Sequence, residues 1–286
     1  MRWKGGRQSE HFEDRRGMSS GGKLAIGGVG GIIVLIVGLL LGGDPQQLLQ
    51  QMQTTAVQSD GPVEISSEEQ ELTELVRVVH ASTEDVWSAI FRTQGREFRA
   101  NTLVLYRDQT PTDGCGMGAS AYGPFYCPAD EKVYIDLRFN DELHERFGAT
   151  GDFAMAYVLA HEVGHHIQKL TGAMDRVNAA RQRLSEVQYN KLQVMLELQA
   201  DFYAGVWAHH ANGNSDISLE YNDIREGMEA AAAVGDDRLQ MQAQGHVVPE
   251  AFTHGTSAQR AYWFKKGFDT GDMRQGDTFN DPSLLN

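Results

Sequence analysis

Cysteine is nearly absent, with two residues in 286. That excludes a disulfide-dense scaffold and any site built from four thiolates. Positive charge is also short: 25 Lys and Arg stand against 39 Asp and Glu, a formal net charge of −14. A phosphate-gripping basic surface is therefore not the main role, and no nucleic-acid partner is expected. Between Lys23 and Arg77 no basic residue occurs at all, while seven acids do. Apolar residues are not lacking. A hydrophobic share of 41% with 22% charged describes a chain that can bury a core, which rules out wholesale disorder. Ten histidines remain as the main source of metal ligands.

From Leu24 to Gly43 the chain reads LAIGGVGGIIVLIVGLLLGG, twenty residues without a charge. At about 1.5 Å per residue this makes a helix of roughly 30 Å, the thickness of a bilayer core. A cleaved signal peptide would have a shorter apolar region and a small-x-small site, which Gly42-Gly43-Asp44-Pro45 does not provide. Nine glycines between Gly21 and Gly43 disfavour a soluble core helix. Residues 1–23 carry Arg2, Lys4, Arg7, Arg15, Arg16 and Lys23 against three acids, which leaves 19 basic and 36 acidic residues beyond them. The positive-inside rule then puts the N-terminus in the cytoplasm and everything after Asp44 across the membrane. Arg15-Arg16 is not followed by the apolar residues of a twin-arginine signal. Gly27 and Gly31 are spaced for a weak homodimer contact within the bilayer. In such a compartment Cys115 and Cys127, which enclose a glycine-rich loop, are expected to form a bridge; the alternative is two buried thiols.

Four regions follow: a basic cytoplasmic tail over 1–23, a transmembrane helix over 24–43, a Gln- and Ser-rich stalk over 44–67, and one domain over 68–286. Helical spacing runs through Leu72, Leu75, Val76 and Val79, and Ser67 with Glu68 and Glu69 reads as a helix start. Thr102–Tyr106 and Val133–Leu137 read as strands. Phe153–Leu170 and about Asp175–His210 read as helices, as do Ser218–Val234 and Thr256–Phe268, with an acidic, loosely held tail from Asp269. The fold class is mainly α with a small antiparallel β-sheet.

The informative stretch is FAMAYVLAHEVGHHIQKL, which contains His161-Glu162-Val163-Gly164-His165. On a helix, positions i and i+4 share a face, so two imidazoles can hold one tetrahedral metal. Glu162 is then placed to act as base toward an activated water. The surrounding helix is apolar, and buried imidazoles and a carboxylate without a common partner would be costly to desolvate. Zinc needs a third protein ligand. Glu197 and Asp201 are again i and i+4, so one carboxylate can bind metal while the other orients a ligand histidine. His209, His210, His166 and His254 are the alternative third ligands.

Four blocks in order resemble the bacterial neutral zinc metallopeptidases: CGMGASAYGPFYCPADEKVYIDLRF, GDFAMAYVLAHEVGHHIQKLTG, ELQADFYAGVWAHH and FTHGTSAQRAYWF. These are single-pass membrane proteins with a zincin-type domain, and the resemblance covers nearly the whole chain. Phe202 stands where the family commonly shows Cys. The resemblance implies one zinc ion per chain, held by His161, His165 and Glu197, with Asp201 beside them and a peptide or protein substrate. It also makes FTHGTSAQR a signature, in which His254 could donate to the developing oxyanion and Arg260 anchor the segment. A helix-capping loop is the other reading of His254. Val133–Leu137 is expected at the sheet edge, where an extended substrate could pair. The resulting expectation is a zinc endopeptidase in the bacterial inner membrane, with its domain periplasmic or extracellular. Its rivals are a zinc-stabilised binding or scaffold domain and a zinc amidase acting on a non-protein amide.

Overall fold

The computed structural model describes residues 1–17, 65–149, 151–213 and 216–285. The run 24–43, most of the stalk and the Gly27–Gly31 contact lie outside them. Among the described residues no helix is long and apolar enough to cross a membrane.

In chain order the elements are β1 (Phe12–Asp14), α1 (Ser67–Thr93), β2 (Thr102–Leu105), β3 (Gln109–Pro111), β4 (Met117–Ala119), β5 (Phe125–Cys127), β6 (Lys132–Ile135), α2 (Phe139–Glu145), α3 (Asp152–Thr171), α4 (Ala173–Ala180), α5 (Glu186–Ala211), α6 (Tyr221–Ala233), α7 (Asp236–Gln244) and α8 (Ser257–Thr270). The architecture is mainly helical with small sheets, as the sequence implies. The antiparallel expectation fails for the larger sheet. Its order is β1-β2-β6-β5, with β1, β2 and β6 parallel and only β5 antiparallel. The second sheet is the antiparallel pair β3-β4.

Three further expectations change. Val133–Leu137 is not an edge: β6 lies between β2 and β5, and the open edge on that side belongs to β5. The long helix from Asp175 is broken, because Ser185 starts α5 with a capping box in which it and Gln188 satisfy each other's backbone N–H groups. The tail from Asp269 is packed, not loose. The Thr278 hydroxyl is buried and donates to the Met195 carbonyl at 2.6 Å, and the Gly276 carbonyl accepts from Gln199 at 2.7 Å.

The domain also takes in residues that the sequence assigns to a separate tail. Residues 1–17 are part of it: β1 is a strand of the sheet, and Trp3 and Ser9 are buried. The Cys115–Cys127 bridge is present, with Cα atoms 5.9 Å apart.

The core is centred on α3, which is buried from Phe153 to Gln168 on every face. A helix surrounded by packed neighbours needs no polar face, which explains the nearly continuous apolar sequence. It ends at Gly172, whose φ of 78° is the left-handed cap that glycine adopts without strain. The neighbouring α5 comes very close at Gly164, where a Cβ would lie 2.9 Å from the Ala200 carbonyl oxygen. This approach brings the histidines of α3 up to the carboxylates of α5.

Candidate metal centre

His161, Glu162 and His165 project from α3 as a buried group whose ligating atoms all lie within 4.8 Å of one another. Glu197 of α5 closes the group. Its carboxylate lies 3.1 Å from His161 Nε2 and 3.5 Å from His165 Nε2. The two imidazole rings meet edge to face at 4.8 Å.

The opposite nitrogen of each ring is engaged elsewhere. His161 Nδ1 lies 2.8 Å from Asp201 Oδ1. A carboxylate can only accept, so that nitrogen carries the proton. Asp201 is itself fully buried and gripped by Arg260, whose Nε and Nη2 donate at 2.8 and 2.9 Å. The Tyr157 hydroxyl donates to the same carboxylate. His165 Nδ1 lies 2.9 Å from Gln168 Oε1. The Gln168 amide nitrogen donates to the Leu196 carbonyl at 2.6 Å, which fixes its oxygen toward the ring. Both rings thus turn Nε2 toward Glu197, the orientation that metal ligation requires.

Charge points the same way. Burial works against the protonated form of His161, but the charge and hydrogen bond of Asp201 outweigh it, with help from Glu197, and raise its pKa to about 10. Burial opposes protonation of His165 too, and the Glu197 charge again pushes it up. Burial disfavours the Glu197 anion, yet the charge of His165 and hydrogen bonds from both imidazoles hold it well below the usual range. Asp201, also disfavoured by burial, is held at about 2 by Arg260 and His161. Glu197 and Asp201 thus place negative charge beside the two rings. Two imidazoles and a carboxylate are the donor set of a zinc site with room for a further ligand, so the residues fit this ion.

Glu162 has a different character. Burial raises its pKa, and no described side chain hydrogen-bonds its carboxylate. A buried carboxylate with raised proton affinity beside a cation site suits a group that takes up and releases a proton.

His254 lies in the loop that leads to α8. Its Nδ1 is 3.2 Å from Asp236 Oδ1, while Asp236 Oδ2 accepts backbone N–H bonds from Thr253 and His254, both at 2.7 Å. Its side chain is 45% exposed, so the ring is held by one nitrogen and open at the other side. Burial would lower its pKa, but Asp236 and the charge of Glu197 raise it, so His254 shares the electrostatic field of the metal centre. The cap of α8 is made by Thr256, which accepts from Gln259 N, and not by His254.

The comparisons bear on this geometry. The family profile described as "putative neutral zinc metallopeptidase" matches residues 1–279. The chain belongs to this family. It is 47% identical over 286 residues to the "uncharacterized protein YpfJ" of Escherichia coli (strain K12), covering 98% of this chain and 99% of that one. It is 44% identical over 191 residues to the "uncharacterized protein Mb2605" of Mycobacterium bovis, covering 64% of this chain and 63% of the relative. No solved structure matches.

The structure brings together every family site residue named from the sequence: His161, Glu162, His165, Glu197, Asp201 and Arg260, with His254 at the rim. Of the alternative ligands, His166 is bound to Tyr126 Oη and the Arg99 carbonyl, and His209 and His210 to carbonyls of the α8 end. Three site residues escaped the sequence reading. Gln168 sits three positions after His165 and Tyr157 four before His161, so helical spacing could have found both. Asp236 offers no such signal, since it meets His254 only through the packing of α7.

Proposed function

We propose that this protein is a zinc-dependent peptidase in which His161, His165 and Glu197 hold the ion and Glu162 is the general base. One observation carries the reading. Both ligand imidazoles are tied at Nδ1, so that both Nε2 atoms and the Glu197 carboxylate converge beside the buried Glu162 carboxylate, which has no hydrogen-bond partner among the described side chains.

Zinc, when bound, polarises the scissile carbonyl and acidifies the attacking water. The chain's own groups do the rest. Glu162 takes the proton of the water at a carboxylate oxygen and delivers it to the leaving amine nitrogen. Asp201 keeps the proton of His161 on Nδ1, and Arg260 holds Asp201 ionised. His254, fixed at Nδ1 by Asp236, offers Nε2 as donor to the oxygen that gains charge in the transition state.

The test is Glu162→Gln in the purified full chain. Zinc content and melting temperature should stay near those of the parent, and hydrolysis of a labelled unfolded protein should fall by about 10²–10⁴-fold. Undiminished hydrolysis would assign the base elsewhere. Cleavage of small acyl amides but of no peptide, by the parent, would make the enzyme an amidase.

A further inference from the structure

The N-terminal strand pairs with a strand of the domain that follows the apolar run in sequence. Phe12, Glu13 and Asp14 stand opposite Leu103, Val104 and Leu105 in the parallel β1-β2 pair. Leu103 N donates to the His11 carbonyl at 2.9 Å, and Arg15 N to the Leu105 carbonyl at 2.7 Å. Trp3 Nε1 donates to Asp152 at the start of α3, and the Ser9 hydroxyl to Glu84 of α1. Arg16, whose side chain is 3% exposed, donates to Glu69 at 3.0 Å and to Thr73 at 3.1 Å, both on α1. Bonds of this length cannot reach across a hydrocarbon core of roughly 30 Å.

We infer that residues 1–17 and 65–285 lie on one side of any membrane to which the chain attaches. The contacts of Arg16 set the end of the segment 1–17 beside the first turns of α1. A second crossing by 44–64 is unsuitable by sequence, since it would bury Asp44, Asp60, Glu64 and six glutamines. The charge asymmetry that suggested opposite sides has another origin. Lys4 pairs with Glu71, Arg7 with Glu84 and Asp85, and Arg16 with Asp14 and Glu69. These basic residues serve as clamps to the domain's own acids.

Glu10→Cys and Glu229→Cys introduce exposed thiols on the N-terminal segment and on α6. In the parent chain both cysteines are joined, which makes it the unlabelled control. A membrane-impermeant maleimide should label both variants in spheroplasts, or both in inverted vesicles, with detergent-opened samples showing each thiol reactive. Labelling from opposite faces would overturn the inference. A second measurement needs no membrane. Arg16→Ala in purified full-length protein should lower the melting temperature by about 5–10 °C, the effect of breaking a buried ion pair. An unchanged melting temperature would mean that the segment is not part of the domain.

Discussion

At the scale of single residues, the candidate site depends on side chains outside its proposed ligand set. Gln168 accepts from His165 Nδ1 and donates to the carbonyl of Leu196, next to Glu197, so one amide ties the two ligand-bearing helices together. Replacing it with Leu, of similar length, removes both bonds and leaves the ring free to turn. Zinc affinity should fall by about 10–100-fold, measured by competition with a chromophoric chelator, without loss of the helical circular dichroism signal. His254 makes a different prediction. If it donates to the developing oxyanion, His254→Ala lowers kcat by about 10²–10³-fold with KM and zinc content little changed. A loss confined to stability, with kcat intact, would leave it only a loop-fixing role with Asp236. The motif histidines and Glu197 were legible because helical periodicity puts them on one face. The Asp236–His254 contact was not, because it joins residues eighteen apart in two different elements.

At the scale of elements, the site exists because helices approach more closely than side chains normally permit. On α5 a Cβ at Gly205 would stand 2.0 Å from the Phe264 carbonyl oxygen, and on α8 a Cβ at Gly267 would stand 2.0 Å from that of Phe202. These two glycines let α8 lie directly on α5, which sets Arg260 against Asp201. Gly267→Ala forces the backbones apart. It should destabilise the protein by about 1–3 kcal/mol, seen as a fall in melting temperature of roughly 2–10 °C, and should weaken zinc binding as Arg260 withdraws. A normal melting temperature would show that the helices can separate without strain. The sequence located α3, α8 and most of α5. It ran α4 and α5 together, since apolar spacing continues across the break and only the Ser185 capping box marks it.

For the whole molecule, the metal is expected to act as a folding ligand. The unfolded chain offers no converged imidazoles, so zinc at a hundred times its dissociation constant should stabilise the fold by about 2.7 kcal/mol. Chelation should lower the melting temperature by roughly 5–10 °C, and added zinc should restore it. The same titration on Glu197→Ala should show little metal-dependent gain. Full restoration there would move the third ligand to another residue.

The sequence by itself determined which side chains form the candidate site and the class of architecture. The i, i+4 pairs on α3 and α5 dictated which groups share a face, and the apolar composition of α3 dictated its burial. The bridge between the two cysteines was anticipated from the glycine-rich loop they enclose and the disulfide-permitting compartment expected of the chain. Tertiary structure alone decided the parallel direction of β1, β2 and β6, the interior place of β6 and the packing of the tail at Thr278. It also decided that Arg7 and Arg16 bind acids of α1. The physical reason is common to these cases. A strand of three residues or a single charged side chain carries no period of its own, so its partner is chosen only when distant segments pack together.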